Sequence, residues 1–444
     1  MSTLNDMSIL IGGDAGQGVE SSGAGFTQAL ARDGLHVFAT QDYRSQIRGG
    51  HNFYTIRIGG DHLPRAQQRS HHLMLAMTSE TVDLHLESLA EDGGVIYDER
   101  LPIDPGVIQA RGRHAFPLPL STIAQQTGGS RVMTNTALLG AAAGVTGFPT
   151  ASMERVVREN FASKGDDVVE KNLAVLDAAH QAAQASYAAD FDYQLAPGSD
   201  AGTQLLVQGN QALAFGAIAA GCRFISAYPM TPGTSILEWL TALDPSFGVV
   251  TKHTEDELAA IAMAIGAGFA GTRAMTTTSG GGLSLMVEAI GFAGMAEIPV
   301  VIVDAQRGGP STGLPTRTEQ ADLSFVLSLG HGEFPRIVLA PGSIGQCFET
   351  AWRAFNFAEK YQCPVFILTD TYLAGALRTF PLNALDLSDV TVDRGKLIDI
   401  GDPFEAADGK YERFQFTADG ISPRALPGNP ATIHSVTSDE HTPA

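Results

Sequence analysis

The chain has 444 residues, of which 44% are hydrophobic and 17% charged, a composition that supplies cores for two domains and excludes disorder throughout. Its formal charge of −20, from 28 Lys and Arg against 48 Asp and Glu, argues against nucleic acid as a partner, because phosphates require a basic surface. Cys222, Cys347 and Cys363 are too widely spaced for a cluster motif, and no signal peptide or run of about 18 apolar residues is evident, so we expect a cytoplasmic protein without a metal site or a membrane span.

The first predicted elements form an α/β domain over residues 1–190 that opens with a βαβ unit. In chain order we predict a strand at 7–11, a helix at 19–33, a strand from 37, and helices at 121–126, 134–143 and 154–184. Residues 191–203, with Pro-Gly-Ser-Asp at 197–200, are predicted to form a linker.

The turn before the first helix carries Gly13, Gly16 and Gly18, a spacing that departs from the Gly-x-Gly-x-x-Gly dinucleotide fingerprint. A glycine turn at a helix start offers free N–H groups to a phosphate, although the same glycines also suit a tight strand-to-helix turn. Downstream, Arg44, Arg48 and His51 bring cationic groups to the next strand end. They are candidates for contacting the phosphates of a ligand or an acidic partner, or for lying in a solvated loop that faces another subunit.

A second α/β domain is predicted over residues 204–385, because strands and helices alternate regularly. Strands are predicted at 205–207, 224–228, 249–252, 274–277, 300–304, 336–340 and 364–369, and helices at 209–220, 235–243, 256–271, 283–295 and 344–361. Such alternation predicts a largely parallel sheet that is covered on both faces. Residues 386–444 are predicted to form an extended acidic tail. The fold class is therefore α/β, with two successive open-sheet domains.

Polar loops follow three of these apolar runs: Tyr-Pro-Met-Thr-Pro at 228–232, Thr-Glu-Asp-Glu at 254–257 and Thr-Thr-Thr-Ser-Gly-Gly-Gly at 276–282. Open α/β sheets bind ligands at the carboxyl ends of their strands, so these loops are expected to converge. Glu257 precedes an apolar helical run, and a buried carboxyl group there could hold or share a proton.

These motifs resemble the 2-oxoacid:ferredoxin oxidoreductases. Residues 228–232 are similar to the family's Tyr-Pro-Ile-Thr-Pro loop, and 306–316 to its substrate loop. The turn at 12–19 is similar to the family's gamma domain. The chain therefore resembles an alpha subunit with a fused N-terminal gamma domain, and its second domain resembles a thiamine-diphosphate pyrimidine-binding domain. The loop at Arg307 most resembles the 2-oxoglutarate type.

The resemblance implies roles for individual residues. Glu257 would hydrogen-bond the pyrimidine N1′ of thiamine diphosphate as the catalytic carboxyl group, with Glu255 as the alternative. Thr231, Arg307 and Thr316 would contact the 2-oxo acid, since an arginine can form a forked pair with a carboxylate. The implied cofactor contacts are Tyr228, Pro229, Thr278, Ser279 and Gly280 for thiamine diphosphate, and Gly13, Gly16, Gly18, Arg44 and Arg48 for coenzyme A or an interface.

Two motifs expected of a complete enzyme do not occur in the sequence. Gly165-Asp166-Asp167 lacks the third glycine of a diphosphate–metal motif, and the cysteines cannot hold an iron–sulfur cluster. The resemblance thus implies a beta subunit that carries Mg²⁺ and a [4Fe-4S] cluster and shares the thiamine, in an (αβ)₂ assembly that passes electrons to ferredoxin. Residues 420–428 and 438–441 resemble a link to a further domain, which a truncation has removed or another chain supplies.

The expected function is oxidative decarboxylation of a 2-oxo acid, with 2-oxoglutarate favoured, as in a citric acid cycle; pyruvate and branched-chain 2-oxo acids stay open. Two rival functions belong to other classes: a dinucleotide-binding regulatory module, and an assembly subunit without catalysis. The glycine spacing weighs against the first rival, and the presence of Thr231, Glu257 and Arg307 weighs against the second.

Overall fold

The computed structural model describes residues 3–43, 50–384, 387–405, 410–437 and 441. Over these residues the strands are β1 (Thr3–Leu4), β2 (Met7–Asp14), β3 (His36–Asp42), β4 (His51–Gly59), β5 (His71–Ala76), β6 (Leu89–Asp98), β7 (His114–Leu118), β8 (Tyr193–Gln194), β9 (Gln204–Val207), β10 (Phe224–Ala227), β11 (Val250–His253), β12 (Ala274–Thr278), β13 (Val300–Gln306), β14 (Ile337–Leu339), β15 (Pro364–Asp370), β16 (Leu377–Pro381), β17 (Leu397–Ile398) and β18 (Arg424–Ala425).

The α-helices of the same residues are α1 (Val19–Arg32), α2 (Ser79–His85), α3 (Pro105–Gln109), α4 (Leu120–Gly128), α5 (Thr134–Thr146), α6 (Thr150–Phe161), α7 (Asp166–Tyr187), α8 (Gly209–Ala219), α9 (Thr234–Phe247), α10 (Glu257–Phe269), α11 (Gly280–Met295), α12 (Leu323–Ser328), α13 (Ile344–Tyr361) and α14 (Thr371–Gly375). None of these helices has the length and apolar character needed to cross a membrane.

The chain divides into two compact units, each with its own sheet. The first comprises residues 1–207 and 376–384, and the second 208–375 and 385–444. This division differs from the expected domain boundaries, because β9 and β16 pair with each other in the first unit although both lie in the range predicted for the second domain. Pairing between strands so distant in sequence leaves no local signal.

The described part of the first unit contains an eight-stranded mixed sheet in the order β7-β6-β5-β2-β4-β3-β16-β9. The predicted βαβ unit is split, because β4 lies between β2 and β3 and runs antiparallel to both. Residues 43–50 are too few for the helical crossover that a parallel neighbour needs. Along β2, Ile9 and Ile11 pack on one face and Leu10 on the other, so helices cover both faces of the sheet.

Two other expectations for this unit need correction. The helix predicted at 154–184 is interrupted at Gly165, whose φ of 95° is incompatible with a continuing helix, so α6 and α7 are separate. The predicted linker is ordered in part, because β8 pairs with β1 and the Gly198 N–H donates to the Asp33 carbonyl at 2.7 Å.

Over the described residues, the second unit contains a parallel sheet in the order β11-β10-β12-β13-β15-β14. The predicted parallel sheet is confirmed, and every residue of β13 and β15 is buried, as expected of strands covered on both faces. The chain leaves β10 towards β11 on one side and returns to β12 on the other. The order thus reverses at β10, and this reversal is where α/β sheets bind ligands.

The segment predicted as an extended tail packs against the second unit. Glu359 of α13 is buried and accepts from Arg273 Nε at 2.7 Å, Arg394 Nε at 2.8 Å and Arg424 Nη2 at 2.9 Å. Burial lowers the pKa of Arg424 to about 10, with neighbouring Glu359 opposing the shift. Because Arg394 and Arg424 come from the tail, this ion cluster anchors it to the sheet.

Candidate active site

Four strands of the second unit end at the same edge of the sheet. Ala227 of β10 pairs with His253 of β11, and Thr278 of β12 pairs with Asp304 of β13. The segments that follow these strands are the three polar loops of the sequence and the loop that begins at Arg307. The expected convergence therefore occurs.

Glu257 is the first residue of α10 and is only 3% exposed. The helix starts here because the preceding Asp256 caps it, with its carboxylate accepting from the Ala259 N–H at 2.7 Å. The Oε1 atom of Glu257 is buried and has no hydrogen-bond partner among the residues that the structure describes. Glu255, the alternative, is exposed to solvent. The geometry therefore favours Glu257 as the buried acceptor or donor for a bound molecule.

The first turn of α11 packs directly against this carboxyl group. A Cβ at Gly282 would overlap Thr278 Oγ1 and lie 2.5 Å from Glu257 Oε1, so only glycine fits. Thr278 and Ser279 are fully buried and Gly280 is partly buried. Within the described chain the Ser279 hydroxyl has no hydrogen-bond partner.

The loop after β10 lies against the end of β12. The Thr277 hydroxyl donates to the Gly233 carbonyl at 3.2 Å, and a Cβ at Gly233 would approach Thr277 Oγ1 to 2.6 Å. On this loop Tyr228 is 37% exposed, and Pro229 and Thr231 are partly buried. The predicted cofactor contacts Tyr228 and Pro229 therefore border the site with surface open to a ligand.

Arg307 joins two of the loops. Its Nη1 donates to the Thr231 carbonyl at 2.7 Å and its Nη2 to the Thr312 carbonyl at 3.1 Å. Burial lowers the pKa of Arg307, and the charge of Glu257 opposes the shift, which places the two side chains in one electrostatic environment. Thr316 is partly buried at the far end of the loop, where the Gly308 N–H donates to the Arg317 carbonyl at 3.0 Å.

The glycine turn of the first unit is explained by backbone conformation. Gly16 and Gly18 have φ values of 91° and 80°, which other residues rarely adopt. A Cβ at Gly13 would lie 2.7 Å from Gln17 Oε1, which accepts from the Asp14 N–H. Asn135 donates to the Gln17 carbonyl and so secures the turn from α5. Sequence inspection missed Asn135, because its partner lies more than 100 positions away.

Of the three cationic residues predicted downstream of this turn, the structure describes only His51. Arg44 and Arg48 lie outside the described residues. His51 is buried, and its Nε2 lies 2.9 Å from His85 Nε2, so the two rings share a proton. Burial and the neighbouring His51 lower the pKa of His85 to about 4. His51 is therefore buried against His85 and does not lie in a solvated loop.

A cavity of about 900 Å³ opens in the first unit beside the first turns of α1. Its polar lining includes Ser21, Ser22, Asn135 and Lys164, and its apolar lining includes Leu139 and other side chains of α5 to α7. The cavity is large enough for part of an organic ligand. Among the described residues of the chain, no group of three or more His, Cys, Asp or Glu side chains is arranged to hold a metal ion.

Two family descriptions match the chain: "Pyruvate ferredoxin/flavodoxin oxidoreductase" over residues 8–182, and "Pyruvate flavodoxin/ferredoxin oxidoreductase, thiamine diP-bdg" over 215–424. The 2-oxoacid:ferredoxin oxidoreductase subunit alpha of Sulfolobus sp. is 35% identical, over 98% of this chain and 74% of that protein. The chain belongs to the 2-oxoacid:ferredoxin oxidoreductases. The 2-oxoglutarate oxidoreductase subunit KorA of Mycobacterium tuberculosis is 31% identical, over 98% of this chain and 70% of its own length.

A solved structure of the family is also similar. The 2-oxoglutarate:ferredoxin oxidoreductase from Magnetococcus marinus, with 2-oxoglutarate, coenzyme A and succinyl-CoA bound, matches with a TM-score of 0.89 and 34% identity over 99% of this chain and 74% of that one. The resemblance inferred from the motifs is thereby confirmed, as is the α/β fold class. The chain is a 2-oxoacid:ferredoxin oxidoreductase subunit of the alpha type.

The residues at the sheet edge suit the thiamine diphosphate of this oxidoreductase family. An aminopyrimidine ring offers a nitrogen that needs a hydrogen-bonding carboxyl group, and Glu257 Oε1 is buried without a partner in the described chain. Sequence inspection missed Gly282, whose lack of a side chain leaves room for this carboxyl group, although it is the third glycine of an evident run. It also missed Asp304, the one acid within the apolar strand β13.

Proposed function

We propose that this alpha subunit takes part in the oxidative decarboxylation of 2-oxoglutarate in a cytoplasmic complex. In the balanced reaction, 2-oxoglutarate and coenzyme A give succinyl-CoA, CO₂, one proton and two electrons, which two ferredoxins accept. The observation that carries the proposal is that Glu257 Oε1 is buried and has no hydrogen-bond partner in the described chain, at the switch point of a parallel sheet.

Thiamine diphosphate, when bound, supplies the nucleophilic carbon that attacks the oxo group. In our proposal Glu257 holds a proton against the pyrimidine ring nitrogen, in a site from which water is largely excluded. Tyr228, Pro229, Thr278, Ser279 and Gly280 would hold the cofactor in this site. The geometry that supports these roles is the burial of Thr278 and Ser279 and the absence of a side chain at Gly282.

Arg307, Thr231 and Thr316 are proposed to hold the 2-oxo acid. The guanidinium of Arg307 has five N–H donors, and two of its nitrogens already contact loop carbonyls, which fix its orientation. The remaining donors are suited to a carboxylate oxygen of the substrate. The hydroxyl of Thr231, on the loop after β10, and that of Thr316, on the Arg307 loop, can donate to the oxo or carboxylate oxygens.

We propose that a beta subunit, which carries Mg²⁺ and a [4Fe-4S] cluster, docks on the apolar face of α10 and α11. The exposed large apolar side chains of this face are Leu258, Met263 and Phe269 of α10 and Leu285, Phe292 and Met295 of α11. Large apolar side chains exposed together on two packed helices favour a protein interface over a free surface. Both helices begin at the candidate site, so a partner bound there would complete it.

Two glycines support the same surface. A Cβ at Gly266 of α10 or Gly291 of α11 would meet nothing within 4 Å in the described part of the chain. Glycine in a helix interior costs about 1 kcal/mol relative to alanine, and no described residue of this unit packs closely enough on either glycine to require it. A partner that packs closely against these helices explains both positions and favours the proposed (αβ)₂ assembly.

Coenzyme A is proposed to contact the first unit at the glycine turn of Gly13, Gly16 and Gly18, with Arg44 and Arg48 as further candidates. The cavity beside that turn adds Lys164 as a cation for a phosphate. Lys164→Gln should raise the KM for coenzyme A and leave the KM for the oxo acid unchanged. Equal effects on both KM values would contradict the proposal that coenzyme A binds in this cavity.

The substrate proposal is tested with the chain co-purified with its native partner, by comparing ferredoxin reduction with 2-oxoglutarate, pyruvate and a branched-chain 2-oxo acid. We expect 2-oxoglutarate to give the highest kcat/KM, because the Arg307 loop is similar to that of the 2-oxoglutarate enzymes. If pyruvate or a branched-chain acid gives the highest kcat/KM, the proposed reaction class stands and the proposed substrate is wrong.

A further inference from the structure

A buried acid in the second unit takes no part in the mechanism described above. Asp304 lies in β13, between Val303 and Ala305, and is 0% exposed. Neither of its carboxyl oxygens has a hydrogen-bond donor among the described groups of the chain. An ionised carboxylate in such a place is strongly disfavoured, so the Asp304 carboxyl group must be protonated or paired with another group.

The partner is a second carboxyl group at the far end of the Arg307 loop. Asp322 Oδ2, like both carboxyl oxygens of Asp304, is buried without a hydrogen-bond partner in the described chain, and the two side chains interact with each other. Two carboxyl groups can hydrogen-bond only if one of them carries a proton. Burial, followed by the charge of Asp322, raises the pKa of Asp304 well above its usual value, so Asp304 is the protonated donor. Burial also raises the pKa of Asp322, and the hydrogen bond from Asp304 opposes that shift.

This pair lies where the loop leaves the sheet and where it returns. The loop runs from Arg307 at the end of β13 to residue 321, just before Asp322. Its return is also fixed by the Asp322 N–H, which donates to Gln306 Oε1 at 3.0 Å, and by Gln320, which donates to Asp370 at 2.6 Å. Arg307 depends on this closure, because one of its contacts is the Thr312 carbonyl within the loop.

The same carboxyl group reaches the start of α11. A Cβ at Gly280 would lie 2.7 Å from Asp322 Oδ2 and 2.9 Å from Oδ1, so the absence of a side chain at Gly280 admits Asp322. An ionised Asp322 at a helix N-terminus also interacts favourably with the helix dipole. Asp322 therefore connects the loop to β13 and to the first turn of α11.

We propose that Asp304 and Asp322 are positioning residues that share one proton and thereby latch the two ends of the 307–321 loop, holding Arg307 in place for the substrate. The inference rests on the proposed function only in that Arg307 meets the 2-oxo acid. The latch itself is a property of this chain.

The latch has a defined pH dependence. Because the pKa of Asp304 is raised in the folded chain, the hydrogen bond between the two carboxyl groups stabilises the closed loop fully at low pH. This stabilisation is lost as the pH rises through the raised pKa of Asp304. The other titratable groups at these strand ends are Glu257, Arg307, Glu319 and Asp370. Burial raises the pKa of Asp322, and the charge of Glu319 adds to that shift. When the proton leaves, the two carboxylates repel and the loop end separates from β13.

The test uses Asp304→Asn and Asp304→Ala in the assembled complex, with Thr318→Ala as the control, because Thr318 is an exposed, uncharged residue of the same loop. An asparagine amide donates to Asp322 without a titrating proton, whereas alanine removes the latch. In the wild type and in Thr318→Ala, the KM for the oxo acid should rise with pH, by up to about tenfold for each pH unit above the pKa of Asp304, because the fraction of molecules with a closed loop falls at that rate. Asp304→Asn should keep a low, pH-independent KM, and Asp304→Ala a high one at every pH, with kcat changed far less.

Hydrogen–deuterium exchange of residues 308–321 provides a readout that does not depend on turnover. Relative to the wild type at each pH, exchange should be faster in Asp304→Ala at low pH and slower in Asp304→Asn at high pH. Exchange and KM profiles of Asp304→Asn that follow the wild type would overturn the latch. If no 2-oxo acid is turned over but exchange changes as expected, the proposed function fails and the latch stands.

Discussion

Replacing Glu257 with glutamine tests the proposed catalytic carboxyl group with minimal disturbance to the fold. Glu257 Oε1 has no donor within the described chain, so the isosteric amide forfeits no intramolecular hydrogen bond there. We expect the free energy of unfolding of the chain to change by less than about 1 kcal/mol. A hydrogen bond to a charged group contributes about 1.5–3 kcal/mol, and a positioned proton-transfer group about 10²- to 10⁴-fold in rate. The kcat should therefore fall by about two to four orders of magnitude.

The assay is oxo-acid-dependent reduction of a viologen by the chain assembled with its beta subunit, with thiamine diphosphate binding and thermal unfolding measured on the same samples. Glu255→Gln is the matched control, because Glu255 is two positions upstream and exposed. The control should retain wild-type turnover. Turnover of Glu257→Gln near the wild-type value, or an equal loss in Glu255→Gln, would refute the assignment of Glu257.

The remaining predictions concern substrate, cofactor, partner and stability. Arg307→Ala should raise the KM for the 2-oxo acid by about one to two orders of magnitude, as loss of a charged contact does, and an unchanged KM would make Arg307 structural. Gly282→Ala should weaken thiamine diphosphate binding measured by calorimetry, since its Cβ would occupy the space at the Glu257 carboxyl group; unchanged affinity would contradict that geometry. Gly266→Leu should stabilise the isolated chain by about 0.5–1 kcal/mol and abolish co-purification with the beta subunit, whereas intact assembly would exclude α10 as the docking face. Glu359→Gln should lower the free energy of unfolding in urea by about 3–5 kcal/mol, because it leaves buried arginines unpaired, and a loss below about 1 kcal/mol would show that the cluster is dispensable.

The second unit was predicted from local signals. Each of its parallel strands is a short apolar run that ends in a turn, so the sequence patterns of β10, β12 and β13 predict both the strands and the loops that meet at Glu257. Arg307 is predictable for the same reason, since it directly follows the apolar run of β13. Its two carbonyl partners are not, because they depend on how two loops fold towards each other.

The features that sequence inspection missed depend on contacts between distant residues. The β9–β16 pairing places strands from both ends of the second predicted domain in the first unit. The tail is anchored by Arg424 on Glu359, a contact for which neither segment carries a local pattern. Asp304 did leave a signal, namely an acid inside an otherwise apolar strand, but its partner Asp322 becomes evident only when the loop closes.

The measurement that tests the central claim most directly is 2-oxoglutarate-dependent reduction of ferredoxin by this chain with its beta subunit, with and without coenzyme A, and by the chain alone. The account predicts turnover that requires both coenzyme A and the beta subunit and that yields succinyl-CoA and CO₂ in equal amounts. An assembled complex shown to hold thiamine diphosphate and its cluster, yet inactive with 2-oxoglutarate, pyruvate and branched-chain 2-oxo acids, would contradict the account and identify the chain as a subunit without catalysis.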